Sequence, residues 1–493
     1  MPDNADSIPV VFATPECAPL AKTGGLGDVS ASLPAALVRL GVDVRILLPG
    51  YTQVLDALPH TRLAATVPAQ AAFPAARILA ATGPGSVPLL VLDCPTFYRR
   101  RGGPYQDDHG RDWPDNALRF GLLSRVAALL GTDGSPLPWR AQIVHCNDWQ
   151  TGLAPAYLAL GADGPRAASL VTVHNVSFQG IFAPQLVSEL GLPASSFSPE
   201  GVEYYGKLCF LKAALHYADA ITTVSPTHAR EIQTEAFGFG MHGLLARRAG
   251  DLSGILNGID TDIWNPAADA LIARRYDIES LAAKIENKRA LQASLGLSAD
   301  DNVPLLGMVS RLAAQKGMDL VLESALALID LPVQIAIQGV GQAPMQRQLT
   351  ALARSHPGTI AVRFGFDERL AHSIEAGADI FLMPSRFEPC GMNQMYSQRY
   401  GTPPVARATG GLIDSVVDAS PATLADGTAT GFIFEGSTPA ALQAAVERAV
   451  GAYRNAATWR ALQRNGMRRD FSWNSSAVQY LDIYRRLAAG RSV

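Results

Sequence analysis

Lys22-Thr23-Gly24-Gly25-Leu26-Gly27-Asp28-Val29 is the stretch whose reading decides the fold. The apolar run Pro9-Val10-Val11-Phe12-Ala13-Thr14 leads into it and reads as a buried strand. After it, Val29, Leu33, Ala36, Leu37 and Leu40 recur at helical spacing, and Gly41 stands where a helix closes at C′. Val44-Arg45-Ile46-Leu47-Leu48 follows as a second strand. Strand, glycine loop, helix and strand in that order make a unit of a parallel α/β sheet. Gly24 and Gly25 let the backbone approach a ligand closely. The helix start behind them offers free N–H groups and a positive dipole end to an anion, and Lys22 adds a mobile cation. A tight turn alone accounts for the same glycines. The spacing matches neither the dinucleotide fingerprint nor the P-loop, so the ligand it suggests is a sugar or a phosphate.

With 493 residues the chain has room for two or three domains. Apolar content of 48% with 17% charged residues is that of a globular enzyme. A net charge of −3 and the lack of a dense Lys/Arg run argue against nucleic acid as a partner. No run of about 20 apolar residues suits a membrane span, and the polar start Met1 to Asp6 does not read as a signal peptide. Cys17, Cys94, Cys146, Cys209 and Cys390 are scattered without Cys-x-x-Cys spacing. That usage points to reduced thiols in a cytoplasm and to no structural zinc.

Strand patterns recur at Leu89–Asp93, Gln142–Cys146, Leu170–His174, Ala220–Val224 and Ser253–Asn257, each ending near polar residues, where open parallel sheets place ligands. The segment Arg99 to Pro114, with Gly102-Gly103-Pro104-Tyr105, reads as a surface loop. The rhythm restarts after Asn257-Gly258-Ile259-Asp260. Strands are expected over 305–310, 334–338, 360–364 and 380–384, at Val405 and over 432–434, with helices over 319–329 and 345–354 between the first of them. The fold class expected is α/β: two doubly wound, Rossmann-like domains facing each other across a cleft. The first domain is placed at 1–256 and the second at 257–471. A last helix over 472–493, with Ala477, Tyr480, Leu481, Tyr484 and Leu487 on one face, is expected to return to the first.

In the second half, Arg311 and Lys316 follow the first strand and precede Gly317. A fixed guanidinium fork and a point charge suit a diphosphate, although two solvated basic residues in a loop would look the same. Ser385-Arg-Phe-Glu-Pro-Cys-Gly391 follows another strand. Glu388 with the amides of Cys390 and Gly391 could hold sugar hydroxyls, or Glu388 could merely cap a helix. Thr409-Gly410-Gly411 ends a further strand.

These motifs, with His145-Cys-Asn-Asp-Trp149, Thr172-Val-His-Asn175 and Asn257-Gly-Ile-Asp260, stand in the order seen in bacterial glycogen synthases and plant starch synthases. The chain resembles that family from about Val10 to Tyr484. The resemblance implies a GT-B architecture and transfer of glucose from ADP-glucose, with retention, to the 4-hydroxyl of an α-1,4-glucan such as glycogen. It implies neither a metal nor another cofactor. By the same resemblance, Lys22, Gly24 and Gly25 meet the donor, and Arg311 with Lys316 grips its diphosphate. His174 and Asn257 contact the glucose, Glu388 with the Cys390 and Gly391 amides holds its hydroxyls, and Asp148 lies on the acceptor side. Glu16 lines the cleft, and Thr409, Gly410 and Gly411 complete the substrate-binding set. His174 has the ordinary alternative of a satisfied core histidine.

Two positions depart from the family pattern: Phe366 stands where an adenine-stacking Tyr is common, and His242 where an acidic residue is usual. The Asp260-Thr-Asp262 pair looks like a metal-binding D-x-D, but it falls in the linker, and Arg311 and Lys316 already offset the diphosphate. Rival readings of the chain are a nucleotide-sugar epimerase or hydrolase on the same architecture and a catalytically silent glucan-binding protein.

Overall fold

The computed structural model describes residues 7–161 and 164–490. The polar start at 1–6 and the last three residues of the 472–493 helix expectation lie outside the described residues. The chain divides into two units, Met1–Gly258 with Trp473–Val493, and Ile259–Ser472.

The first unit is built on a nine-stranded sheet. In chain order its strands are β1 (Pro9–Ala13), β2 (Asp43–Pro49), β3 (Arg62–Val67), β4 (Ala76–Thr82), β5 (Pro88–Asp93), β6 (Ile143–Asn147) and β7 (Ala168–Val173). A small three-stranded sheet uses β8 (Ile181–Phe182), β9 (Glu203–Tyr204) and β10 (Lys207–Cys209), and the large sheet resumes with β11 (Ala220–Thr223) and β12 (Leu252–Gly254). The large sheet runs β12-β11-β7-β6-β1-β2-β5-β4-β3. All its pairs are parallel except β4 with β5 and β3 with β4. β1 is buried over Val10 to Ala13, as its unbroken apolar run requires, and lies between β2 and β6.

The helix after the glycine loop spans Gly25–Arg39 and buries Val29, Leu33, Ala36 and Leu37. Leu40, expected on that face, is instead 40% exposed, because the helix has ended and Gly41 turns the chain at φ +88°. The helix Trp473–Ala489 packs on this core through Trp473, Ala477, Tyr480, Leu481 and Tyr484. The strand expected over Ser253–Asn257 is shorter and earlier, at Leu252–Gly254, although the Ile255 N–H still donates to Thr223 O at 2.8 Å.

The second unit holds a six-stranded sheet, all parallel. Its strands are β13 (Leu305–Val309), β14 (Gln334–Gly339), β15 (Ile360–Phe364), β16 (Ile380–Met383), β17 (Pro404–Arg407) and β18 (Phe432–Phe434), in the order β15-β14-β13-β16-β17-β18. Helices Met318–Asp330 and Ala343–Ser355 connect the first three strands. Leu306, Met308, Ile335, Ile337, Val405 and Phe432 form its centre with Val446 and Trp459 from the helices.

In the parallel part of each sheet the strand order reverses direction once, between β1 and β6 in the first unit and between β13 and β16 in the second. Loops leaving neighbouring strands diverge there and open a crevice at the strands' carboxyl ends, where doubly wound sheets bind ligands.

Candidate active site

In the first unit, three segments leave the sheet at its switch point. The first carries Glu16, just beyond β1. Its Oε2 accepts the N–H of Thr23 at 2.6 Å and of Gly24 at 3.1 Å, and its Oε1 accepts the hydroxyl of Tyr105. Glu16 therefore shapes the glycine loop from beneath. Burial pushes its carboxyl above the ordinary range, and the Tyr105 hydroxyl and the two amides pull it back. Lys22 is half exposed and pairs with Asp28 Oδ1 at 2.7 Å, in the first turn of the helix. A Cβ built on Gly24 would meet no protein atom within 4 Å. With an extended φ of −152° there as well, neither packing nor backbone conformation accounts for a glycine at this position.

The second segment follows β6. Asp148 holds a left-handed φ of +55°, uncommon for a residue with a Cβ. The third follows β7, and the two are tied together: Asp148 Oδ1 accepts the N–H of His174 at 2.7 Å and of Asn175 at 3.3 Å. Burial raises the Asp148 carboxyl to about 7; the two amides oppose that rise and the Glu16 charge adds to it. His174 Nε2 lies 3.0 Å from Asn147 Oδ1, and Asn147 Nδ2 donates to Ala13 O at 3.0 Å. That second bond fixes the amide with its oxygen toward the imidazole. The proton is thereby assigned to Nε2, leaving Nδ1 as an acceptor. Burial holds the His174 pKa down to about 3, so the ring is neutral at ordinary pH. His145 has a different part: it is fully buried between Tyr484 OH at 2.7 Å and Thr172 Oγ1 at 2.6 Å, a core histidine. Asn257 is buried beyond β12, and its Oδ1 has no partner among the described residues.

In the second unit, the loops after β13 and β16 meet across the switch point. Lys316 Nζ donates to Glu388 Oε2 at 2.5 Å, and Ser385 Oγ donates to the same oxygen at 2.9 Å. Glu388 is 5% exposed. Gly317 turns the chain behind Lys316 at φ +72°, where a Cβ would stand 2.1 Å from Pro384 O. Arg311 is exposed, with Nη2 on Gln315 Oε1 at 3.2 Å. Arg407 braces the other loop, donating from Nε to Ser385 O at 2.8 Å. Cys390 is buried, and Gly391 takes φ +70°.

Thr409, Gly410 and Gly411 come against this loop from behind. A Cβ on Gly410 would lie 2.0 Å from Glu388 O, and one on Gly411 2.3 Å from Cys390 O. This second glycine pair is thus required by protein packing, in contrast to Gly24. Phe366, beyond β15, presents a ring that is 71% exposed. Asp260 Oδ1 accepts the N–H of Asp262 at 2.9 Å and of Ile263 at 3.1 Å, a turn-forming role.

Glu16, Lys22, Gly24, Asp148 and His174 thus gather at one switch point, and Arg311, Lys316, Glu388 and Gly391 at the other. Tyr105, Asn147 and Ser385 had no assigned role in the sequence reading. Asn147 and Ser385 stand inside the motifs His145–Trp149 and Ser385–Gly391, whereas Tyr105 lies in a loop whose bond to Glu16 spans 89 positions with no local signal.

Comparison with known proteins bears on both units. Residues 9–247 match the family described as starch synthase catalytic domain, and residues 293–463 match glycosyl transferases group 1. The chain is 57% identical to the glycogen synthase of Nitrosospira multiformis, covering 97% of each chain. It is 59% identical to that of Aromatoleum aromaticum, covering 99% of this chain and 98% of the relative. Among solved structures, the catalytic domain of starch synthase IV from Arabidopsis thaliana, bound to ADP and acarbose, superposes with a TM-score of 0.86 at 34% identity. That match covers 98% of this chain and all of the other. A sucrose-phosphate synthase from Thermosynechococcus elongatus shares the fold alone, at a TM-score of 0.60 and 18% identity, covering 98% of this chain and 100% of the other. Identity above one half along nearly the whole length of both chains, on a GT-B fold with the same two parallel-sheet units, means that this chain belongs to the glycogen synthase family of glycosyltransferases.

Proposed function

We propose that the protein transfers glucose from ADP-glucose to the non-reducing-end 4-hydroxyl of an α-1,4-glucan, with retention at the anomeric carbon. The observation that carries this reading is the Lys316–Glu388 pair, a cation and a carboxylate held together at a sheet's switch point. A nucleotide-sugar donor needs both: positive charge for its diphosphate and an acceptor for its sugar hydroxyls. The related starch synthase, bound to ADP and acarbose, supports a nucleotide and a sugar as the ligands of this fold.

The difficult event is departure of ADP as positive charge develops on the sugar. Arg311 and Lys316 stabilise the leaving diphosphate, a preorganised electrostatic role. Glu388 orients the Lys316 ammonium through Oε2 and accepts a glucose hydroxyl with its remaining lone pairs. Phe366 stacks on the adenine, and the Cys390 and Gly391 amides donate to the sugar. In the first unit, the Gly24–Gly25 backbone and Lys22 meet the donor. Asn257 turns its unpartnered Oδ1 to a glucose hydroxyl, and neutral His174 accepts one at Nδ1. Asp148 acts as a positioning residue, fixing the His174 backbone.

Among the described residues no carboxylate stands out as a nucleophile for double displacement, and, as the family resemblance implies, attack occurs on the face that ADP leaves. The acceptor O4–C1 bond forms as the C1–O bond to phosphate breaks, and the hydroxyl proton passes to a phosphate oxygen. The test is a donor panel of ADP-glucose and UDP-glucose with glycogen, following polymer and nucleotide product together. Nucleotide release without polymer growth would overturn the reading in favour of a hydrolase.

A further inference from the structure

Residues 448–469 contain six arginines and no acidic residue, in a chain whose net charge is −3. Arg448 is paired with Asp418 at 2.8 Å. Three of the others, Arg460, Arg464 and Arg468, lie four positions apart on the helix Ala456–Arg468 of the second unit. That helix buries Trp459, Leu462, Gly466 and Met467, which fixes its opposite face outward. Four residues advance a helix by about 6 Å and return nearly to the same face, so the three arginines form a row about 12 Å long.

A groove of about 530 Å³ runs along this row. Arg460 and Arg468 are exposed. Arg464 is half-buried between them, and its Nε is buried without a partner among the described residues. A buried donor left unmet asks for an explanation. None of the three arginines is in an ion pair among the described residues, and no carboxylate lines the groove.

The lining decides the class of ligand. Between the arginines stand Ala456, Ala457 and Ala461, whose side chains offer no polar group. Asn465 is the remaining polar side chain, and its Nδ2 donates to Ala429 O at 2.9 Å. The groove therefore has many donors and one side-chain acceptor, Asn465 Oδ1. A sugar phosphate brings hydroxyl protons that need acceptors. A single-stranded nucleic acid needs aromatic faces for its bases, and no aromatic ring lines the groove. The row suits a ligand made of acceptors alone, with negative charge spread over about 12 Å. Guanidinium forks grip phosphate oxygens in pairs, which suits arginine rather than lysine at all three positions.

We propose that this groove binds a linear condensed phosphate, inorganic polyphosphate, laid along Arg460, Arg464 and Arg468. The site uses none of the residues assigned to the sugar donor, so it stands or falls independently of the transfer reading.

The test is calorimetry on the whole protein at fixed ionic strength, with ADP in excess to occupy Arg311 and Lys316. The titrants are orthophosphate, tripolyphosphate and a linear polyphosphate long enough to span the row. Affinity should rise along that series, because only the last meets all three arginines. Arg460→Gln and Arg468→Gln change exposed positions, and melting curves check that each variant folds. Each should weaken the long polyphosphate roughly tenfold, as loss of one charged hydrogen bond does. A long polyphosphate that binds no tighter than orthophosphate, or that both variants bind like wild type, overturns the proposal. Tighter binding of fructose 1,6-bisphosphate or of oligodeoxythymidylate than of polyphosphate also overturns it, the first in favour of a sugar phosphate and the second in favour of nucleic acid.

Discussion

Lys316 Nζ and Glu388 Oε2 lie 2.5 Å apart, joining the loop after β13 to the loop after β16. Glu388→Gln keeps the shape and an acceptor for Lys316 but removes the charge offered to the sugar. Turnover is expected to fall on the order of a hundredfold, by analogy with loss of one preorganised donor. ADP affinity should change little, since Arg311 and Lys316 remain. Steady-state rates and ADP calorimetry measure both, and wild-type turnover in Glu388→Gln would return the residue to a helix-capping role.

Lys316→Ala acts on the same pair from its other end. It leaves the Glu388 carboxylate buried, with Ser385 as its remaining side-chain donor. The variant should melt earlier, by the equivalent of about 1–3 kcal/mol, toward the lower end because the lysine side chain is 20% exposed. It should also bind ADP more weakly, which Glu388→Gln should not. A melting point and an ADP dissociation constant both equal to wild type would remove Lys316 from the site.

Gly24→Ala separates ligand contact from folding. The added methyl meets no protein atom, and φ stays in a region open to alanine, so stability should change by no more than about 1 kcal/mol. Transfer should nevertheless drop, because the methyl occupies the approach to the loop backbone. Unchanged KM and kcat for the donor would mean that nothing comes close to Gly24.

Asp148→Asn tests the buried carboxyl. A folded-state pKa raised to about 7, against an unfolded value near 4, means that the folded protein binds the proton more tightly. The stability it brings is complete below pH 4 and is lost as pH rises through 7. The amide can still accept from the His174 and Asn175 N–H groups without carrying charge. The melting temperature of the variant, relative to wild type, should therefore climb between pH 5 and pH 8. A difference that stays flat over that range would contradict the raised pKa.

Tyr105→Phe removes a hydrogen bond that favours charged Glu16, so the Glu16 pKa should rise further. The acid limb of the rate profile should then move to higher pH, with a stability loss of about 1–2 kcal/mol. A profile superposing on that of wild type would separate Glu16 ionisation from catalysis.

Much of this was legible in sequence because it is local. The buried run of β1, the glycine loop, the helix behind it and β2 follow one another within 41 residues, Pro9 to Pro49, and each has its own pattern. Asp148, His174, Lys316 and Glu388 could be placed at strand ends for the same reason. The antiparallel strands β3 and β4 escaped notice: Arg62-Leu-Ala-Ala-Thr-Val67 buries only Val67 and lacks the clean alternation of a half-buried strand. The contact of Tyr105 with Glu16 was illegible because it depends on where a long loop folds back. The packing need for Gly410 and Gly411 was hidden likewise, since it is set by the backbone of residues 388–390, some twenty positions earlier.

The hydrogen bond from His145 to Tyr484 joins positions 339 apart. During synthesis the first unit emerges early, yet the helix that covers β1 and β6 leaves the ribosome only after the whole second unit has been made. Until then Val10, Phe12, Leu33 and Ile143 lack the apolar cover of Trp473, Ala477 and Tyr484. The unit that begins the chain therefore finishes folding last, and for the intervening time it carries an open hydrophobic face that invites chaperones or aggregation. A nonsense mutation near residue 470 would leave the second unit's sheet intact and strike the first.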